Sequence, residues 1–315
     1  MTMKIFIYTI LIVLISACAF GQAKPGIYPW SVAVKVQDDT AQPISGAEVH
    51  IGYMQTNQIV GFTDSNGVFV ASHVDKALAL GFIVKKEGYY SDYLRYNLFM
   101  PGQFDDAKVA ANRNATQTLV LRKIGNPVAM YAKRQEMKFP SENAPIGFDL
   151  SAGDWVGPYA TGFHADIFFA VHRKIVSERE YDATLTVTFP NKGDGIVSAR
   201  PEYVTGSAFK TSRVAVESGY LPELNLHYST TERPKSVFGY FIRVKTALDE
   251  HGHVKSAQYG KIDGDFRFYA GTIAPTAGMG FDYYLNPTPN DRNVEFDPKQ
   301  NLFKNLKYSE QVSAP

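Results

Sequence analysis

Residues 30–51 read WSVAVKVQDDTAQPISGAEVHI, residues 61–70 read GFTDSNGVFV, and residues 80–90 read LGFIVKKEGYY. In the first block Trp30, Val32, Val34 and Val36 alternate with Ser31, Ala33 and Lys35, the period-two signature of a half-buried strand. Asp38, Asp39, Pro43 and Gly46 form a turn cluster, and 47–51 alternates again with Glu48 and His50 on the water side, which makes His50 an exposed strand residue. Thr63-Asp64-Ser65-Asn66-Gly67 ends in Asn-Gly, a strong hairpin signal because a tight primed turn needs positive φ at both central residues. The spacing of Asp64, Asn66 and Gly67 does not fit a calcium loop, and no glutamate closes one, so Asp64 reads as the acceptor of an Asx turn. Leu78–Lys86 and Thr116–Leu121 are further strands. Six or seven short strands with turns between them predict a small β-sandwich.

Composition extends that reading to the whole chain. The 315 residues are 45% hydrophobic, 20% charged and 13% aromatic, with 19 Tyr and 21 Phe, which favours pleated, half-buried surface and predicts two domains. A formal net charge of +1 gives nucleic acid no electrostatic reason to bind. The single cysteine, Cys18, excludes a disulfide, a cysteine-based zinc site or a cysteine nucleophile further along.

Residues 1–21, MTMKIFIYTILIVLISACAFG, carry Lys4, an apolar run and then small residues, the design of a secretory signal peptide. Two cleavage points stand open. Ile15-Ser16-Ala17-Cys18 resembles a bacterial lipobox, in which Cys18 would be lipidated and tether the protein to a membrane. Ala19-Phe20-Gly21 suits an ordinary signal peptidase. Either predicts an exported protein, periplasmic, bound to the outer membrane, at the cell surface or secreted.

The segments 30–51, 63–69 and 86–89 together resemble the carboxypeptidase regulatory-like domain, a transthyretin-like β-sandwich. Asp39, Pro43, Ile44, Gly46, Ala47 and Val49 match its first turn and strand, Thr63, Asp64, Gly67 and Phe69 its T-D-x-x-G-x-[FY] motif, and Lys86, Gly88 and Tyr89 its K-x-G-[YF] corner. Ala41 departs from the glycine usual there. The resemblance covers about a third of the chain and implies an accessory folding partner or spacer without peptidase activity.

The expected plan is therefore all-β: a sandwich over 30–124, a linker over 125–145 with a solvated basic patch at Lys133, Arg134 and Lys138, a larger β-sandwich or jelly-roll-like domain over 146–303, and a tail over 304–315. In the second domain Tyr181, Ala183, Leu185, Val187 and Phe189 face inward. Residues 283–303 are too rich in proline for a central strand and read as an ordered loop held by Phe296, Leu302 and Phe303.

Candidate functional residues fall in the second domain. Trp155 and Tyr159, beside Asp154 and between glycines, could stack a sugar or a partner, or both could anchor the core. His164, Asp166 and His172 could make a His/carboxylate metal site if the fold gathered them. His251 and His253 sit in a glycine turn. Asp149, Asp154, Asp166, Asp263 and Asp265 supply carboxylates for a glycosidase pair, but sequence does not give their separation. No nucleophile elbow, metalloprotease motif or phosphate loop occurs, and no cofactor is expected. These features predict a non-catalytic binding or structural protein of the cell envelope, its partner a glycan or an envelope protein, with a hydrolase of glycans or other envelope polymers as the alternative.

Overall fold

The computed structural model describes residues 28–53, 57–75, 77–98, 112–200, 206–271 and 273–312. The leader, with Cys18, lies outside them. The chain is all-β, in two sandwiches.

The first sandwich contains β1 (Tyr28–Asp38), β2 (Glu48–Gly52), β3 (Gln58–Phe62), β4 (Val68–Asp75), β5 (Ala79–Lys85), β6 (Asp92–Asn97) and β7 (Thr116–Leu121). They form one sheet in the order β4-β1-β7 and another in the order β3-β2-β5-β6. Trp30, Val32, Val34 and Val36 all point into the space between the sheets, against Val49, Ile51, Phe82 and Val84. Each such fully buried large side chain stabilises the fold by roughly 1.5–3 kcal/mol.

The Asn-Gly turn is not the hairpin that its sequence predicts. β3 pairs with β2 and β4 with β1, so the turn carries the chain from one sheet to the other. Gly67 has φ +73°, while Asn66 is not among the residues of positive φ. The Gly67 amide donates to the Asp64 carbonyl at 3.0 Å, and Asp64 Oδ1 accepts the Asn66 and Val68 amides at 2.9 and 2.8 Å. A Cβ on Gly67 would stand 2.4 Å from the Val36 carbonyl oxygen, so close approach to the neighbouring strand is what demands glycine.

The second sandwich begins earlier than expected. β8 (Val128–Lys138) lies inside the span read as linker, yet it pairs along its length with β17 (Gly278–Asn286). Its apolar positions are small or sparse: Met130 and Ala132 are fully buried, but Lys133, Arg134 and Lys138 hide the alternation. Arg134 and Lys138 are exposed, as a solvated patch requires, but Arg134 Nη2 also pairs with Asp282 at 2.9 Å, and Nζ of the half-buried Lys133 pairs with Glu310 at 3.2 Å. The linker shrinks to the few residues before Val128. The tail is also structured: Tyr308–Glu310 form a 3-10 turn, and Val312 is buried against the outer face of the larger sheet.

The remaining strands are β9 (Ile146–Asp149), β10 (Asp154–Trp155), β11 (Ile167–Ser177), β12 (Glu180–Thr188), β13 (Gly195–Ser198), β14 (Glu223–Ser229), β15 (Gly239–Leu248), β16 (Val254–Tyr269) and β18 (Phe296–Asn301). A five-stranded sheet, β10-β9-β11-β12-β14, packs on a six-stranded one, β13-β15-β16-β17-β8-β18. Their shared core holds Phe148, Phe169, Phe266, Phe281 and Tyr283, with Tyr181, Ala183, Leu185 and Val187 facing in as the alternation predicts. The six-stranded sheet is covered on its other face too, where Met130, Phe241, Tyr284, Val294 and Phe296 pack together. This explains why every residue of β17 from Met279 to Asn286 is buried. Pro298 is tolerated because β18 is an edge strand.

The sandwiches meet through buried polar groups. Arg122, fully buried at the end of the first domain, donates from Nη1 to the Phe209 and Thr211 carbonyls at 2.9 and 2.7 Å, with its guanidinium 4.7 Å from the centre of the Phe209 ring. Glu295, 1% exposed, accepts the Tyr90 hydroxyl at 2.6 Å and the Gly125 and Asn126 amides at 2.8 and 3.0 Å. Alongside, the Tyr93 amide donates to the Gly206 carbonyl and the Ala208 amide to the Ser91 carbonyl, so a strip of the second domain extends the β6 edge.

Candidate functional site

Between β9 and β11 the chain makes an excursion at the edge of the five-stranded sheet, where the short β10 pairs back on β9 before a loop leads into β11. Asp149 organises the excursion. Its Oδ1 accepts the Ser151 and Ala152 amides at 2.9 and 3.0 Å, and its Oδ2 those of Phe163 and His164 at 3.1 and 3.3 Å. Burial pushes this carboxyl up, but the four backbone donors outweigh burial and hold it below its ordinary value. Asp154 ties the middle of the loop: Oδ1 accepts the Trp155 amide at 2.9 Å and Oδ2 the Thr161 hydroxyl at 2.8 Å. The Gly162 amide donates to the Trp155 carbonyl at 2.9 Å, and the Gly157–Pro158 peptide is cis.

Asp166 closes the base. It is 1% exposed, accepts the Leu150 amide at 3.0 Å, and lies 3.6 Å from Lys245 Nζ. Burial pushes its carboxyl up to about 6, against the pull of Lys245 and the Leu150 amide. Lys245 sits in an irregular stretch of β15 with φ +55°, and its ammonium also donates to Ser151 Oγ at 3.0 Å. A bulge there re-aims the side chain towards the loop. From the core, the Tyr283 hydroxyl donates to the Leu150 carbonyl at 2.8 Å.

Within this frame the sequence candidates separate. Trp155 is a core residue, 5% exposed, ringed by Phe139, Phe148 and Phe169 at 5.4–6.0 Å, with Nε1 donating to the Lys138 carbonyl. It cannot stack a ligand. Tyr159 is 48% exposed on the excursion. Phe163 is 83% exposed and is the residue that sequence reading passed over. Its signal was an aromatic directly after Gly162 in the same glycine-flanked stretch, where no strand periodicity gives it a core role.

His164, Asp166 and His172 do not come together. Asp166 turns inward, whereas His172 lies on the exposed face of β11, five residues beyond Ile167 and so about 16 Å along the strand. Among the described residues no group of three His, Cys, Asp or Glu side chains is placed to hold a metal. His251 and His253 sit in an exposed turn whose amides both donate to Asp249 Oδ1. Of the carboxylates that could serve a glycosidase, Asp149 and Asp166 are engaged with backbone amides, Asp154 with the Trp155 amide and Thr161 hydroxyl, and Asp265 with the Ser236 hydroxyl and Val237 amide at 2.7 and 2.9 Å. What the arrangement offers is a tied loop that carries exposed aromatic rings.

No family model matches the chain, and no curated protein does. Among solved structures, 3-chlorocatechol 1,2-dioxygenase from Rhodococcus opacus 1CP is 15% identical with a TM-score of 0.25, over 33% of this chain and 63% of the dioxygenase. A DUF3823 family protein from Parabacteroides merdae is 9% identical with a TM-score of 0.22, over 86% of this chain and 100% of that one. The shaft pilin spaA from Lactobacillus rhamnosus GG is 10% identical with a TM-score of 0.23, over 70% and 89%. The chain thus spans less than two thirds of the first of these relatives, and at such identities and scores the likenesses say nothing about what it does.

Proposed function

We propose that this is an exported, envelope-attached, non-catalytic binding protein whose second sandwich meets its partner through the Tyr159–Phe163 loop. One observation carries the reading: Phe163 stands 83% exposed on a loop whose base is fastened by four backbone bonds to Asp149. A large aromatic held in water by a stiff base loses little conformational freedom on binding. Its face suits a sugar ring or an apolar patch of an envelope protein.

In this reading the first sandwich is a carboxypeptidase regulatory-like spacer. The motif residues support it by acting structurally. Thr63 Oγ1 donates to the Ile44 carbonyl at 2.7 Å and accepts the Ala47 amide at 2.9 Å, locking the two motifs together. Export and attachment rest on residues 1–21: acylation of Cys18 would add about 0.8 kcal/mol of membrane affinity per buried CH₂.

The test is a glycan array and a pull-down from envelope extract with the full chain, beside Phe163→Ala and Tyr159→Ala. Both side chains are exposed, so the variants should melt within about 2 °C of the parent, and binding should fall at least tenfold. Equal binding by the variants would remove the loop from the interface. Attachment is read separately, by labelled fatty acid incorporation into the parent and into Cys18→Ala.

A further inference from the structure

The geometry points to a second binding surface, on the first sandwich: the outer face of the β3-β2-β5-β6 sheet takes an acidic polysaccharide. Water-facing positions of such a sheet are ordinarily polar. Here strand register lines up Val60, His50, Ile83 and Tyr93 across all four strands, with Phe62 in the next row beside Glu48 and Lys85. Phe62 is 64% exposed, Tyr93 51%, Val60 46% and Ile83 40%, an apolar band crossed on β2 by the His50–Glu48 pair, and exposed apolar surface of this kind marks an interaction site. Gly52 and Gly81 lie opposite each other in the third row and leave a hollow of about 450 Å³ that reaches Tyr93 and Arg95. At the other end a groove of about 890 Å³ runs past Phe62, Lys85, Lys86 and Tyr89 to the seam between the domains.

Charge sets the class of occupant. Lys85 and Arg95 are exposed, at opposite ends of the band, and among the described residues neither has an ion-pair partner. Arg95 is in register with Gly81, four residues from Lys85, which puts the two cations about 13 Å apart along the strands. The acids at the groove are Glu48, held by His50 Nε2 at 2.6 Å, and Glu87, while Lys86 donates to the Gly46 carbonyl. Two separated cations flanking a flat apolar band fit an extended polymer with apolar ring faces and repeated carboxylates. An extended peptide would gain its main-chain hydrogen bonds by adding to a sheet edge. The start of the β6 edge, Ser91–Tyr93, is taken by residues 206–208, and both cations lie on β5 and β6, away from the β3 edge.

Affinity electrophoresis and calorimetry of the full chain with polygalacturonate test this, with dextran and poly-glutamate as controls. Polygalacturonate should bind, more weakly as salt rises. The doubly substituted Lys85→Ala, Arg95→Ala variant and Phe62→Ala should each lose at least about tenfold. Lys85→Arg with Arg95→Lys should keep binding, and all should melt like the parent. Phe163→Ala should bind polygalacturonate unchanged, which separates this surface from the loop of the second domain. Failure of polygalacturonate to bind, undiminished binding without the two cations, or equal retention by dextran or poly-glutamate would each overturn the assignment.

Discussion

Asp149 collects its four backbone donors from residues 2, 3, 14 and 15 positions along the chain, whereas Glu295 collects its three from residues 169, 170 and 205 positions away. Both are buried carboxylates, and both are surrounded by N–H or O–H donors. One shapes a loop; the other fastens two sandwiches together. Removing a member of the first should disturb one excursion of the chain, and removing a member of the second should disturb the coupling of whole domains. Four substitutions test how far that division holds.

The largest effect is expected for Arg122→Ala. It would leave the Phe209 and Thr211 carbonyls without their buried donor and remove the cation stacked on Phe209, destabilising the protein by about 4 kcal/mol. Urea unfolding followed by both fluorescence and circular dichroism should lose its coincidence as the sandwiches uncouple. A loss below about 1 kcal/mol with one coincident transition would mean that Glu295 and the β6-edge bonds join the domains without Arg122.

Asp149→Ala should cost about 3 kcal/mol, since four buried or half-buried amides lose their acceptor. The damage should stay local. Hydrogen exchange should quicken at Ser151, Ala152, Phe163 and His164, and not at the β6 seam. Because the Asp149 carboxyl is held below its ordinary value, its contribution is present at neutral pH and is lost as pH falls through the folded value. Parent and variant should therefore converge in acid. Spread of the exchange to Tyr93 and Ala208 would blur the line between the two centres.

The same contrast explains what the sequence disclosed. Short-range features read well: the alternation of 30–36, the Asx turn at Asp64, the inward face of 181–187. Features made by contacts across the chain did not. β8 was hidden because its buried residues are Met130 and Ala132 while Arg134 finds its acid on β17. The Asn-Gly turn named a reversal but not the sheet that would receive the next strand. At the candidate loop, Asp149 and Asp154 were visible as acids, yet only the fold shows that they bind backbone, that Trp155 points inward, and that Phe163 is left in water.

Lys261→Met probes the seam from the other side. Lys261 is 4% exposed, its ammonium 4.7 Å from the centres of the Phe209 and Tyr284 rings, with Arg122, Asp263 and Glu295 as the charges that act on it. Burial lowers it to about 7, although Asp263 and Glu295 pull the other way. A lowered lysine destabilises the fold most at and below its folded value, and the penalty fades as pH climbs from there towards the ordinary value of 10.5. The methionine variant should thus be more stable than the parent by about 2 kcal/mol at pH 6. The advantage should shrink steadily towards pH 10. A gain that does not change with pH would show that Met packing, not relief of a buried charge, is responsible.

The smallest effect belongs to the first sandwich and to a single backbone angle. Ala41 has φ +64°, in the turn where Asp38 Oδ1 accepts the Thr40 and Gln42 amides. Those bonds, and the Ala41 amide donating to the Asp38 carbonyl at 3.0 Å, hold the residue in a conformation that its Cβ disfavours. Ala41→Gly should remove that strain, partly offset by the greater freedom of glycine in the unfolded chain, for a net gain of about 0.5 kcal/mol. The gain should persist in an Arg122→Ala background, because a turn closed over four residues owes nothing to the seam. Loss of that additivity in a double-mutant cycle would show that local and long-range fastenings in this chain are coupled after all.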